Sequence, residues 1–364
     1  MLDRRSIKKD VKGILGGESR GAVFLATLIV FILVLVYFGA VWAVGQLYPV
    51  TGAELNAINA WADQYAAARV AGGPLPDVQS ALNTFAGSLR NMGMIQLLAW
   101  VLEIIIMLPL AIGVQKFMLR VIRLKEPGAG TVFKGYGGSC FFRAILLPFW
   151  QWLCLVGWQL IMTVLLCGAL AGAALYTGLS TQDFAVLGVG VTVEAIGGIF
   201  TVEYLGSYGW IYLVVLGVWA VLDIWLMMFK NISYSLSGMA LAERPQIGVR
   251  KALRASRRIT RRNHFALFVM ELSFIGWYLL AAIAMALVGA VGVGLNLLNM
   301  GQLGLIITLA LILIVSLIVL YLLMPYRVGV HAQCYVRLKR AALEDGTVVR
   351  EDFRGKRELR QAEE

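Results

Sequence analysis

The sequence has little material for acid–base or metal chemistry. Of its 364 residues, 15% carry a charged side chain and only two are histidines, His264 and His331. A histidine-rich metal site or a His-Glu-x-x-His helix needs histidines close together on one face, and these two are far apart in the chain. Metalloprotease chemistry is therefore excluded, and the sequence predicts no bound metal.

Cysteine is equally scarce and forms no motif. None of the four has a cysteine or histidine neighbour at metal-ligand spacing, and all fall in predicted helices or on the predicted cytoplasmic side, where thiols stay reduced. We therefore interpret them as small apolar packing residues rather than as a disulfide framework. They are Cys140, Cys154, Cys167 and Cys334.

Two short motifs come close to known chemistry but lack essential residues. The run Ser235-Leu236-Ser237-Gly238 lacks the leading glycine of a nucleophile elbow and has no placed base. A glycine-rich stretch around Lys134 has no Gly-Lys-Ser/Thr ending to cradle a nucleotide, so it predicts a flexible loop. Its glycines are Gly128, Gly130, Gly135, Gly137 and Gly138. The sequence thus predicts a protein that is not an enzyme and uses no cofactor.

Long apolar runs dominate what is present. Sixty per cent of the residues are apolar and the mean hydropathy is +0.78, whereas a soluble chain has about 45 to 50% apolar residues. Runs of about 20 apolar residues are long enough to cross hydrocarbon as helices. The predicted fold is all-α, a polytopic transmembrane helical bundle of six spans. The predicted spans are residues 21–47, 93–114, 144–176, 209–229, 265–287 and 303–324.

The basic residues predict the orientation of these spans. Of 32 Lys and Arg residues, all but Arg69 and Arg90 fall before the first span, after the last, or around the second and fourth connections. Translocated loops are depleted of Lys and Arg, so both termini are predicted to lie in the cytoplasm, with the chain in a bacterial cytoplasmic membrane. The net charge of +11 then reflects topology and an anionic inner leaflet, and no nucleic-acid partner is expected.

Three parts of the chain follow from this topology. They are a basic amphipathic N-terminal helix at 1–20, a membrane domain at 21–336 and a charged cytoplasmic tail at 337–364. In the outer loop, residues 48–92, a capping box at Thr51 and Glu54 and two helical patterns predict a helical hairpin. That hairpin is either a cap over the outer helix ends or a lid for a ligand. The second outer stretch, residues 177–208, has no assigned structure.

The basic inner loop, residues 230–263, contains an amphipathic helix. Its apolar stripe consists of Val249, Ala252, Leu253, Ser256 and Ile259. Basic residues cover the rest of its surface, which predicts an interfacial helix held by charge to an anionic leaflet. A solvated charge run that only fixes topology is the alternative. The candidate contacts for anionic lipid or a partner protein are Arg250, Lys251, Arg254, Arg257, Arg258, Arg261 and Arg262.

Three segments of the chain are similar to a known family. The best agreement is Leu272-Ser273-Phe274-Ile275-Gly276-Trp277, preceded by His264-Phe265-Ala266-Leu267-Phe268 and by a basic helix with Ala252, Ser256 and Arg257. The other two are the start, with Asp3-Arg4-Arg5, Ile7-Lys8 and Lys12, and the stretch Phe133-Lys134-Gly135-Tyr136 followed by Arg143. In these residues the chain resembles an uncharacterised bacterial membrane-protein family, the domain of unknown function nine-seven-five. The resemblance implies a polytopic cytoplasmic-membrane protein and brings no established activity.

Three acidic residues lie inside predicted spans: Glu103, Asp223 and Glu271. A charge at that depth costs about 2.5 to 3.5 kcal/mol on insertion scales, so each is a candidate for an intramembrane polar site. The alternative is structural, with the carboxyls hydrogen-bonded between helices or paired with an arginine such as Arg143.

Two functions compete on these observations. The favoured one is a non-enzymatic membrane module whose basic cytoplasmic face binds anionic lipid or a partner protein. The alternative is a small-solute or peptide permease or exporter that uses the three intramembrane carboxylates. Gly168-x-x-x-Gly172 would allow close helix approach or a homo-oligomer. A cavity lined by all three acids would favour transport.

Overall fold

The structure is a computed structural model that describes residues 3–17, 19–47, 60–61, 63–68, 78–123, 128–177, 210–298, 300–349 and 353. The regular elements in these residues are helices. The α-helices are α1 (Arg4–Gly16), α2 (Arg20–Leu47), α3 (Val78–Ile122), α4 (Gly138–Thr177), α5 (Trp210–Tyr234), α6 (Ser237–Glu243), α7 (Val249–Thr260), α8 (His264–Leu272), α9 (Ile275–Leu297) and α10 (Gly301–Glu344). Two 3-10 helices cover Ala129–Tyr136 and Pro245–Ile247.

Six segments of the described chain are long and apolar enough to cross a membrane. They are Arg20–Leu47, Gly93–Ile122, Cys140–Ala173, Trp210–Glu243, His264–Leu295 and Leu303–Glu344. The prediction of an all-α polytopic bundle with six spans is confirmed. Helices suit this setting because they satisfy their backbone hydrogen bonds internally where water is absent.

Two helices extend well past the predicted spans. Helix α3 has 45 residues and already begins at Val78, within the predicted outer hairpin. Helix α10 has 44 residues and passes through Pro325 before it ends at Glu344. The capping-box pair of the hairpin and almost all of residues 177–208 lie outside the described residues.

The densely packed core lies at one end of the bundle, which we call the basic end. It is formed by α1, the last turns of α3, the 3-10 helix Ala129–Tyr136, α6, α7 and the last turns of α10. Ile7 and Val11 of α1 are fully buried there, as are Leu236 and Tyr335. Helix α1 begins where the Asp3 carboxylate accepts a hydrogen bond from the Arg5 amide at 3.0 Å, which caps an otherwise unpaired N–H.

The middle of the spans is packed much more loosely. Large apolar side chains such as Trp42, Val164 and Val221 are about 70% exposed. In water such a surface would be unstable, but lipid tails are as apolar as these side chains, so no driving force buries them. The exposed apolar belt is therefore the lipid-facing surface, and stable packing is concentrated at the basic end.

Two glycines allow the 3-10 helix Ala129–Tyr136 to lie directly against α3. A Cβ at Gly135 would lie 1.8 Å from the carbonyl oxygen of Pro109, and one at Gly113 would lie 1.7 Å from that of Val132. The Tyr136 hydroxyl donates a hydrogen bond to the Ile106 carbonyl at 2.5 Å. The prediction of a flexible loop here is wrong, because these glycines serve close backbone approach rather than mobility.

Candidate functional site

The predicted basic helix exists as α7, but its apolar stripe faces protein. Val249, Ala252, Leu253, Ser256 and Ile259 are all buried, against α4, α5, α6 and α10. The Ser256 hydroxyl even donates a hydrogen bond to the Ser233 carbonyl at 2.7 Å. The prediction of an interfacial helix is corrected accordingly. A helical apolar period indicates that one face is dry and leaves open whether lipid or protein covers it.

The basic residues of α7 and the turn after it point away from this packed face. Arg250, Arg254, Arg257, Arg258, Arg261 and Arg262 are exposed and Lys251 is half-buried. The Arg250 guanidinium stacks 4.2 Å from the Trp150 ring centroid, and Arg262 pairs with Asp345 at 3.2 Å. The result is a ridge of cationic side chains on a helix whose other face is fixed, and we call it the α7 ridge.

Helix α1 is also fixed by its packing rather than held only by charge. The Lys8 ammonium donates a hydrogen bond to the Ser273 hydroxyl at 2.6 Å and lies 5.1 Å from the Phe274 ring centroid. Burial, and then the charges of Arg4 and Lys12, lower the pKa of Lys8 below its usual value. Ser273 and Phe274 join α8 to α9 and belong to the segment with the strongest family resemblance. That segment therefore forms part of the surface against which the N-terminal helix packs.

Of the three predicted acids, only Glu271 is paired with other polar side chains among the described residues. Its carboxylate pairs with His331 Nε2 at 2.6 Å and with the Arg327 guanidinium at 3.5 Å, both from α10. The cluster lines a cavity of about 580 Å³ between α3, α5, α8, α9 and α10. Gln115, Asn231 and other polar side chains share its wall with apolar ones.

The other two acids lie apart from that cavity. One carboxylate oxygen of Asp223, on α5, is buried without a hydrogen-bond partner among the described residues. Glu103 is exposed on α3. Among the described residues no hydrogen bond or ion pair joins any two of the three acids. The arginine suggested as a partner, Arg143, donates instead to the Pro245 carbonyl. The predicted site of three carboxylates is therefore not brought together.

An ionic cluster at the basic end was not predicted from the sequence. The Glu243 carboxylate accepts from Arg123 at 2.5 Å, from the Tyr335 hydroxyl at 2.6 Å and from Lys339 at 2.6 Å. Its side chain is only 12% exposed. The cluster ties α3, α6 and α10 together, so its role is to hold the basic end in one arrangement. Glu243 directly precedes Arg244 and Pro245 in the chain, and that local charge pattern gives no sign of its partners.

The helices and their apolar belt define a polytopic α-helical membrane protein, with a packed basic end and a polar cavity under it. A family model matches residues 1–342, and the chain belongs to that family, described as a protein of unknown function (DUF975). No curated protein and no solved structure matches the chain. The suspected family is thereby confirmed.

Proposed function

We propose that the chain is a non-enzymatic protein of a bacterial cytoplasmic membrane, with both termini in the cytoplasm, and that the α7 ridge binds anionic phospholipid of the inner leaflet. The observation that carries this proposal is the burial of the α7 stripe against protein. Because that face is packed, α7 cannot rotate about its own axis, and its cationic side chains all face outward together.

Electrostatics sets the expected strength. Each basic side chain near an anionic leaflet contributes on the order of 1 kcal/mol before screening. The ridge has six exposed arginines, and those without an intramolecular carboxylate partner are the most available. Because the apolar face of α7 is already covered, adhesion comes from charge alone. Binding should therefore weaken as salt shortens the screening length from about 8 Å at physiological ionic strength to about 3 Å at 1 M.

The test uses the whole chain in nanodiscs that mix anionic and zwitterionic lipid. Spin-labelled phosphatidylglycerol should show a motionally restricted fraction that falls in an Arg254→Gln, Arg257→Gln, Arg261→Gln triple variant and at high salt. Arg90→Gln is the matched control, because Arg90 is an exposed arginine on the opposite side of the predicted membrane. A restricted fraction that is equal in all three proteins would refute lipid binding by the ridge, and would leave an acidic partner protein as the occupant to seek.

Transport is the second candidate, and the cavity around Glu271 is the observation that favours it. A polar cavity at the end of the apolar spans is a feature that a permease needs. Only one of the three acids lines it, however, so a relay of carboxylates through the bundle lacks support. Proton-driven or cation-driven flux in proteoliposomes that is lost in Glu271→Gln would place transport first.

A further inference from the structure

Two cavities meet at the boundary between the apolar spans and the basic end. The polar cavity around Glu271 continues into an apolar groove of about 360 Å³ between α9 and α10. Tyr278, Arg327 and Val328 line both. The walls of the groove are Met285, Val319, Leu320, Leu323 and Met324, with Ser316 at its far end. One continuous site thus has an apolar half and a polar half.

The length of the groove fits one lipid leaflet. From Ser316 to Arg327 the α10 helix rises roughly 16 Å, at about 1.5 Å per residue. The hydrocarbon core of a bilayer is about 30 Å thick, so half of it is about 15 Å. Arg327 also lies just past the apolar run of α10, at the depth where headgroups begin. An acyl chain in the groove would therefore bring its headgroup to Arg327.

The polar half offers a cation and acceptors to that headgroup. Arg327 is about half exposed and pairs with Glu271 at 3.5 Å through one nitrogen, which leaves other guanidinium N–H groups for a phosphate. The Glu271 carboxylate lines the cavity and is 31% exposed, so a bound headgroup can reach it. A carboxylate only accepts hydrogen bonds, and it therefore calls for a ligand that supplies N–H or O–H donors.

We propose that this site binds one phospholipid with a primary-amine headgroup, of the phosphatidylethanolamine kind. Its acyl chain lies along α10, its phosphate meets Arg327, and its ammonium group donates to Glu271. A headgroup with one negative and one positive charge complements a site that presents one of each. This site is separate from the α7 ridge. It selects a headgroup by its hydrogen-bond donors, whereas the ridge selects net negative charge.

The test compares two lipids that differ only in methylation of the headgroup nitrogen, which removes those donors. Phosphatidylcholine has the same phosphate and a cationic nitrogen but no N–H, so with identical acyl chains it is a matched probe. The full chain is purified in detergent, incubated with equimolar phosphatidylethanolamine and phosphatidylcholine, and examined by native mass spectrometry. We expect one phosphatidylethanolamine retained with a preference of about tenfold or more, the size of one charge-assisted hydrogen bond.

Variants assign that preference to the two halves of the site. Glu271→Gln should reduce the preference, because it removes the charged acceptor at similar volume. Arg327→Gln should reduce retention of both lipids, and Arg327→Lys should restore part of it. Ser316→Trp fills the far end of the groove without touching the polar half, and should also reduce both. Arg261→Gln, on the α7 ridge, should change nothing.

The failing outcomes are equally specific. Equal retention of the two lipids by the unmodified chain would overturn the proposal, as would a preference that survives both Glu271→Gln and Ser316→Trp. Stronger retention of phosphatidylglycerol at this site would mean an anionic occupant instead. Glycerophosphoethanolamine, the headgroup without acyl chains, should not compete; full competition by it would show that the groove takes no part. A result that refutes binding of anionic lipid to the α7 ridge would leave this test unaffected. Either proposal can therefore be refuted without the other.

Discussion

Replacing Gly135 with alanine is expected to destabilise the basic end strongly. The new Cβ would lie 1.8 Å from the Pro109 carbonyl oxygen and 2.9 Å from the Gly113 nitrogen, and both are backbone atoms. Contacts of a real Cβ do not fall below about 3 Å, so the 3-10 helix and α3 would have to separate by roughly 1 Å. That separation would also strain the hydrogen bond from Tyr136 to the Ile106 carbonyl.

Overpacking of this kind costs about 1 to 3 kcal/mol, and the upper end applies because neither neighbour is a flexible side chain. For a chain of 364 residues, about 3 kcal/mol corresponds to a fall of about 4 °C in apparent melting temperature. Fluorescence-detected size-exclusion chromatography after heating measures that temperature on the full chain in detergent.

Gly130 supplies the matched control within the same 3-10 helix. No atom lies within 4 Å of a Cβ built there, so Gly130→Ala should shift the melting temperature by less than a degree or two. If the two variants melt together, the close approach of the 3-10 helix to α3 is wrong, and the glycines of this stretch must serve mobility after all.

Four further predictions concern charged residues. Glu243→Gln should lower stability by about 3 kcal/mol, because a half-buried ion cluster loses its only carboxylate; an unchanged melting temperature would contradict this. In intact cells an impermeant thiol reagent should modify Asp63→Cys and spare Arg254→Cys, and the reverse pattern would invert the topology. Asp223→Asn should leave the melting temperature unchanged or raise it, because the buried oxygen of Asp223 has no partner among the described residues. Glu271→Gln should lower stability by about 1 kcal/mol, since its partners are part-exposed, and identical effects of the two amides would refute this contrast.

Positions on α7 differ in whether an introduced cysteine would be accessible to a labelling reagent. Ser256 lies in the middle of the basic helix and, from the sequence, is a natural site for an introduced cysteine. It is fully buried and hydrogen-bonded to the Ser233 carbonyl, so a cysteine there would escape any reagent on either side of the membrane. Arg254 is exposed on the same helix and reports topology instead.

The fold was predictable because its strongest signals are local. Apolar length and basic clustering can be read along the chain, and they gave the six spans and the position of α7. What covers the dry face of α7 could not be read, because lipid and protein impose the same helical period. The contact between Gly113 and Gly135 could not be predicted either, since a glycine-rich stretch has the same composition whether it is mobile or packed.

The candidate site was less predictable because its contacts are distant in sequence. Glu271 was identified by the cost of a charge in an apolar run, yet its partners, Arg327 and His331, come from α10, more than fifty residues later. Glu243 gave no signal at all, because it lies among charged residues and its burial depends on three helices. Asp223 gave the same signal as Glu271 and has no partner among the described residues.

The length of α10 makes the basic end sensitive to the thickness of the bilayer. A helix of 44 residues is about 66 Å long, so with about 30 Å in hydrocarbon it extends some 36 Å beyond. Spans tilt to match the thickness of the membrane. A change of about 10° in tilt would displace the far end of α10 sideways by about 6 Å. Arg337 of this helix pairs with Asp10 of α1, and Asp345 just after it pairs with Arg262 of the α7 ridge. We therefore expect a change in membrane thickness to move the cationic surface through α10.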